Sequence, residues 1–421
     1  MVDKSLLSNK QREELHAALA EYFKSQGLND TYEVFTREVG LQNNNSTSAT
    51  KGVLEKKWVA VVRLTLKNEE LTKRLKEISS DQYMPSRKKL DPSEWIPRPP
   101  EKISLFGHRN VINSVRFHPI YQLVATGSDD AQIKLWDSES GELNGTLKGH
   151  TDSVQDVAFD PSGKSLASCS NDMSIKLWDI SALQCTKTLQ GHEHSIHSLC
   201  YTPTGLLVSA SRDTCIKFWD LSSGYCHKTI RAHKEWVRCV KVSPDGQYIA
   251  SCSDDKTVRI WLISTAECVN EFTGHDHVIE CLEWAPETAF HSISVNLCHQ
   301  KESDLIKIDS TPAKKGKPSR FLISGSRDKS IRMWDIATGL CLCELRGHDD
   351  WIRGLKFHPG GKYILSVSDD KTLKIWDYKN QRIHKSLQAH DHFVSCIDCH
   401  HKNPFVLTGS VDYSAKIWEC R

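Results

Sequence analysis

The feature that most restricts the fold is a repeat. A Gly-His or Ala-His pair recurs seven times, with histidines at His108, His150, His192, His233, His275, His348 and His390. The steps between them are 42, 42, 41, 42, 73 and 42 residues. Each unit closes on a tryptophan: Trp136, Trp178, Trp219, Trp261, Trp334, Trp376 and Trp418. An aspartate stands six residues before each tryptophan (Asp130, Asp172, Asp213, Asp255, Asp328, Asp370, Asp412). A serine stands eight before it (Ser128, Ser170, Ser211, Ser253, Ser326, Ser368, Ser410). Between histidine and serine lie two alternating segments, such as SVQDVAFD and SLASCS, parted by a turn at Pro161 and Gly163. A third segment (SIKLWD) and a fourth (CTKTLQ) follow. Alternation of period two marks β-strands, so each unit predicts four short strands.

This frame resembles the WD-repeat family over residues 101–421. Seven units imply an all-β seven-bladed WD-repeat β-propeller. Two units depart in one place: Leu262 follows Trp261 and Glu419 follows Trp418. The repeated His, Ser and Asp contain the elements of a hydrolase triad, but a nucleophile is wanted once, not seven times. A chain of Trp, Ser, His and Asp that satisfies its own polar groups and ties two turns together explains the pattern as structure. There is no G-x-S-x-G elbow, P-loop or HExxH motif, and Gly163-Lys164-Ser165 lacks the upstream glycine a P-loop needs. The chain therefore reads as non-enzymatic, with no catalytic residue, cofactor or metal. Cys396-Ile397-Asp398-Cys399-His400 matches the C-x-x-C-H haem-attachment pattern. Cys399 falls in register with Phe117, Phe159 and Phe357, which predicts strand residues instead.

Trp418 lies three residues from the end of the sequence, whereas an outer strand follows this tryptophan in every earlier unit. The missing strand is expected from Lys102–Phe106, which would close the ring and remove an open edge. The long step holds 31 extra residues in the a–b loop of blade five, at 287–320. Its lysines and prolines predict a mobile basic loop on the face opposite the repeated His and Asp. It is either a second contact site or tolerated length.

Ahead of the repeats, residues 7–39 carry Leu15, Leu19, Tyr22 and Phe23 at helical spacing. Gly27 ends that helix, and Asn29 or Asp30 caps a second bearing Tyr32, Val34, Phe35 and Val39. Such short helices cannot bury their faces alone. They form either a hairpin packed on the propeller or a symmetric four-helix dimer. The pattern Leu15, Tyr22, Gly27, Phe35, Glu38 resembles the LisH motif, which implies the dimer. Residues 53–82 lack proline, and Leu64, Asn68, Leu71, Leu75 and Ile78 form a 4-3-4-3 seam. This predicts a short coiled coil with Asn68 setting the register; one docked helix is the alternative. Residues 83–100 hold Pro85, Pro92, Pro97, Pro99 and Pro100 and read as a semi-stiff linker.

A net charge of +2 argues against a general nucleic-acid binder. Fifteen scattered cysteines, no signal-like start and no apolar run of about 18 residues predict a reduced cytosolic or nuclear protein without membrane insertion. Two position classes should point out of the face that carries the repeated His and Asp: the residue before each Asp, and those three and five after each His. Arg212, Trp236, Arg238, Arg327, Trp351, Arg353 and Phe393 gather there in blades three to seven, and Lys371 shares the turn after Asp370. Trp and Arg dominate interface hot spots, so this is the expected partner-binding face. The alternative is that the two tryptophans merely pack over strand ends.

The order LisH, coiled coil, Pro-rich segment and propeller, with segments such as EWIPRPPEK, LKGHTDSVQD, SGSRDKSI and WECR, is similar to the lissencephaly-one family of LisH/WD-repeat proteins. Residues 300–320 fall outside the likeness. The resemblance implies a regulator of the cytoplasmic dynein motor in transport, nuclear positioning and mitosis, sited at microtubules and the centrosome. It implies motor contacts at Arg212, Arg238, Arg327, Trp351 and Lys371. It also implies Nud-type coiled-coil adaptors as partners, and a non-catalytic role beside the catalytic subunits of an intracellular platelet-activating-factor acetylhydrolase. A corepressor or ubiquitin-ligase adaptor is the rival class. It would show a nuclear-import run or F-box-like segment, and Lys314-Lys315-Gly316-Lys317 is the nearest basic cluster.

Overall fold

The computed structural model describes residues 95–294 and 320–421, together with helical positions 20, 23, 32–34, 36 and 37. Residues 90–421 and residues 1–89 form two separate compact units. In the larger unit, seven antiparallel sheets of four strands follow one another as the blades of a propeller. Blade 2 illustrates them: strand a is Val154–Phe159, b is Ser165–Ser170, c is Ser174–Asp179 and d is Gln184–Gln190. Burial falls from centre to rim. Strand b is buried almost throughout, while strand d exposes all but Leu189. A strand covered on both faces at close sheet spacing favours small side chains. That is why b strands read SLASCS, LVSAS and YIASCS. Each core lies between neighbouring blades, as where Ile133, Leu135 and Leu147 of blade 1 meet Val154, Val157, Leu166 and Trp178 of blade 2.

The ring closes through the expected segment. Ile103–Phe106 pairs antiparallel with Ser414–Glu419, Ile103 opposite Ile417 and Phe106 opposite Ser414. Leu105 is buried in a cluster with Ile112, Val115, Leu407 and Ile417, so the seam has its own core. The seal begins earlier than the proline content suggested. Pro97 bridges Cys420, Arg421 N–H donates to Ile96 O at 3.1 Å, and Trp95 and Ile96 pack against the core between blades 6 and 7. Residues 95–100 therefore belong to the propeller, not to a linker.

The blade-five insertion is also corrected at its start. Glu287–Ile293 forms a helix whose Ala289 and Ile293 are fully buried with Phe321 and Phe357. Thr288 Oγ1 donates to Pro359 O at 3.1 Å, fastening the helix to blade 6. The remainder of the insertion, up to residue 319, lies outside the described residues. So do the expected dimerisation residues Leu15, Leu19, Tyr22, Phe35, Leu64, Asn68, Leu71 and Leu75. In the smaller unit, Tyr32–Val34, Thr36 and Arg37 are helical, as the spacing predicts, and Thr36 Oγ1 donates to Tyr32 O at 2.6 Å.

Leu105→Ala is expected to lower stability by about 2–5 kcal/mol, the usual loss for a buried leucine. Phe106→Ala, at an adjacent side chain that is 71% exposed, should change it by no more than about 0.5 kcal/mol. Urea denaturation of both variants checks the seam.

Candidate functional site

Each blade carries one closed hydrogen-bond chain. The indole N–H donates to a hydroxyl ten residues upstream: Thr126, Ser168, Ser209, Ser251, Ser324, Ser366 or Thr408. That hydroxyl meets Nε2 of the repeat histidine, and Nδ1 of the same ring meets the repeat aspartate. Every link in all seven blades spans 2.6–2.9 Å. The carboxylate only accepts, so Nδ1 bears the proton and Nε2 accepts from the hydroxyl. This corrects the sequence reading, which took the serine eight before each tryptophan as the hydroxyl. Those serines instead tie the turns: Ser170 Oγ donates to Asp152 O at 2.9 Å and accepts from Asp172 N–H at 3.1 Å.

The chain has the connectivity of a hydrolase triad, yet the hydroxyls are 0% exposed and already hold an indole proton. No substrate reaches them. The C-x-x-C-H segment is likewise strand: Cys396 and Cys399 are buried in Val394–Cys399, Cys399 opposite Val406 as Phe117 is opposite Val124. Among the described residues no cluster is placed to hold a metal ion, and no helix is long and apolar enough to cross a membrane.

The aspartate of the chain also caps the b–c turn. Asp172 Oδ1 accepts from Ser174 N–H at 2.9 Å, and Asp370 Oδ1 from Thr372 N–H at 3.0 Å. The turn forces the residue after each aspartate into the left-handed region, from Ala131 at φ 60° to Lys371 at φ 70°. In blades 4 to 6 that residue is Lys256, Lys329 and Lys371, of which the sequence singled out only the last. A second local device is a β-bulge at the fifth residue after each repeat histidine. It falls at Asn113, Gln155, His197, Arg238, Glu280, Arg353 and Ser395. A bulge re-aims one side chain, and here it turns all seven toward the central channel.

Turn and bulge together assemble two matching stacks. In the first, Arg212 of blade 3 and Arg238 of blade 4 lie over the Trp236 ring, 3.3 and 5.1 Å from its centroid. In the second, Arg327 of blade 5 and Arg353 of blade 6 lie 4.3 and 5.1 Å from the Trp351 centroid. Asp254 N–H donates to Trp236 O at 3.0 Å, and Asp369 N–H to Trp351 O at 2.9 Å, fixing each tryptophan over its turn. Carboxylates hold the forks: Asp254 takes Arg238 at 2.6 and 3.0 Å, and Asp369 takes Arg353 at 2.9 Å. Glu280 meets Arg327 at 2.5 Å and Arg353 at 3.6 Å. Burial works to lower the Arg238 guanidinium, but Asp254 and Glu280 outweigh it and raise it. Arg212 Nε has no hydrogen-bond partner. Both tryptophans are half-buried, so they pack over strand ends and still offer an edge. Lys371 and Phe393 stand outside the two stacks, in blades 6 and 7; Phe393 is 38% exposed.

Sequence reasoning missed an ionic belt in the channel wall. Lys356 of blade 6 meets Glu283 of blade 5 at 3.2 Å and Asp398 of blade 7 at 3.3 Å. Asp398 also accepts from Phe117 N–H of blade 1 at 2.8 Å. Asp156 of blade 2 accepts from Ser114 and Arg116 of blade 1, at 2.7 and 3.1 Å, and from Ser198 of blade 3 at 3.2 Å. Most of these residues stand eight after a repeat histidine, a register shared by Arg116, Lys241, Glu283, Lys356 and Asp398. That periodicity was the available signal.

Residues 100–137, 141–179, 183–220, 224–261, 317–335, 339–377 and 381–419 match the WD domain, G-beta repeat family, together more than half of the chain. Residues 9–44 match the PAC1 LisH domain.

Ser168→Ala is expected to cost about 1–3 kcal/mol, because it orphans a buried indole and a buried imidazole. Ser168→Thr should retain more stability, since blades 1 and 7 use Thr126 and Thr408 there. Acid should weaken the fold in two stages. Burial pushes His197 and His358 from 6.5 down to about 4. The unfolded chain therefore binds more protons between those values, and stability falls as pH drops through them. Below about 4 a second loss follows. Burial tends to raise the Asp172 carboxyl, but the hydrogen bonds from His150 and Ser174 hold it far lower, and Asp370 behaves alike with His348. Their contribution is present above 3.8 and is lost as they protonate. Thermal melts from pH 7 to pH 3 check both stages.

Proposed function

Because the chain belongs to the WD-repeat family and carries a LisH domain, we propose that it is a homodimeric, non-enzymatic scaffold that binds and regulates the cytoplasmic dynein motor. The observation that carries this reading is the pair of Arg–Trp–Arg stacks on one face. Stacked guanidiniums lose little freedom on binding, and Trp and Arg are the side chains that concentrate interface energy. Arg212, Trp236, Arg238, Arg327, Trp351 and Arg353 form the contact, with Lys371 and Phe393 at its margin. Regulation acts by tighter binding to one motor conformation than to others. Dimerisation through the LisH domain and coiled coil lets two propellers engage two motor heads with added avidity. Nud-type adaptors and acetylhydrolase catalytic subunits are further partners. The site of action is the cytoplasm, at microtubules and the centrosome. Transport, nuclear positioning and mitosis follow from motor control.

The test is a pull-down of purified dynein motor domain by the full chain, with Arg238→Ala and Arg327→Ala, each checked for folding by circular dichroism. Hot-spot losses of about 2 kcal/mol predict roughly 30-fold weaker binding for each variant. If the wild type fails to bind, the motor reading falls and a corepressor or ubiquitin-ligase adaptor role takes its place. If folded variants bind as well as wild type, the face is wrong.

A further inference from the structure

Blade 4 carries a feature that neither the tryptophan chains nor the outer face uses. Cys239 and Cys252 stand directly opposite each other on the adjacent strands Val237–Val242 and Tyr248–Ser253. In the other blades the same two positions hold Ser114 and Gly127, Asp156 and Cys169, Ser198 and Ala210, Cys281 and Gly325, Gly354 and Val367, and Cys396 and Gly409. Blade 4 alone has cysteine at both. Directly opposed cross-strand residues have Cα atoms about 4.5–5.5 Å apart, within the roughly 4.4–6.8 Å window of a disulfide. Both are free thiols.

Access and chemistry are asymmetric. Cys239 is 7% exposed and lines the central channel, a space of about 130 Å³, beside Cys281 and Lys241. Cys252 is 0% exposed, and its Sγ donates to Ile279 O at 3.3 Å. The Cys252 side chain opposite it, aided by the charge of Lys241, holds the Cys239 thiol below its ordinary value against the effect of burial. Burial pushes Cys252 well above it. The reachable sulfur is thus the attacking one, and the buried sulfur is placed to resolve.

We infer that Cys239 and Cys252 form a peroxide-responsive dithiol that a small hydroperoxide, entering by the channel, closes into a cross-strand disulfide. The Cys239 thiolate attacks one peroxide oxygen. The O–O bond breaks, the leaving oxygen takes up the proton lost by Cys239, and a sulfenic acid remains. The Cys252 sulfur then attacks that sulfur. The S–S bond forms, the S–O bond breaks, and hydroxide leaves with the Cys252 proton as water. Two thiols and one hydroperoxide give one disulfide, one alcohol (water, for hydrogen peroxide) and one water. Arg238 is the bulge residue just before Cys239, and it grips Asp254, two residues after Cys252. Closure therefore acts on the base of the first Arg–Trp–Arg stack, whichever partner that face takes.

The full-length chain is treated with hydrogen peroxide under native conditions, alkylated and digested with trypsin without reduction. The expected product is peptide 239–241 joined to peptide 242–256, two hydrogens lighter than their sum and parted by reductant. Cys252→Ser should accumulate a sulfenic acid at Cys239 that dimedone traps, and Cys281→Ser should keep the link. The proposal is overturned if the wild-type link is absent while exposed Cys185 and Cys268 oxidise. It is equally overturned if Cys239 joins Cys281 instead. The wild-type result stands whether or not a variant folds.

Discussion

Each blade buries a tryptophan whose indole N–H is beyond the reach of water, and a buried donor left unpaired costs about as much as several good contacts gain. The acceptor is a strand-b hydroxyl, which then needs an acceptor for its own proton. The histidine supplies it, and the aspartate completes the chain. What begins as one polar group on strand c thus fixes the d–a turn and the b–c turn relative to each other. The aspartate also caps its turn, and that cap holds a non-glycine residue in the left-handed region in all seven blades. Backbone strain of this kind persists only where the surroundings over-determine it. The turn and the bulge together carry Arg212, Trp236 and Arg238 to one place.

Blade-to-blade order rests on different forces. Apolar seams fill the space between sheets, the lead-in strand supplies the outer edge of the last blade, and the belt of Asp156, Glu283, Lys356 and Asp398 ties inner strands together. Buried ion pairs are weak contributors to net stability, because desolvation offsets attraction, but losing one partner is expensive. The channel that the belt lines carries charges of both signs, from Arg116, Lys241 and Lys356 to Asp156 and Glu283.

Much of this was legible in the sequence. Seven phased His–Asp–Trp frames dictated seven sheets, and a missing last strand pointed to Ile103–Phe106. The hydroxyl was misplaced by two residues for a clear reason. Positions eight and ten before the tryptophan share parity and both carry small hydroxyl side chains, as in Ser168 and Ser170. The chain needs only an oxygen, so Thr126 and Thr408 serve as well as serine and blur the stricter position. The bulge was hidden because it slips the alternation by one residue. The face residues were found by counting from the histidine, without the turn and bulge that aim them. Their acidic partners, Asp254, Glu280 and Asp369, were counted as surface positions and not as clamps. The belt was hidden because a polar residue in an inner strand reads as ordinary alternation. The helix Glu287–Ile293 escaped because only its packing on blade 6 makes so short a segment stable.

The most direct test of the central claim, that closed tryptophan–hydroxyl–histidine–aspartate chains hold the propeller, is nitrogen-15 NMR of the repeat histidine side chains at pH 7. Protonation at Nδ1 with an acceptor Nε2 is predicted for all seven, together with seven indole N–H groups protected from solvent exchange. Histidines protonated at Nε2, or indoles that exchange freely, would contradict the account.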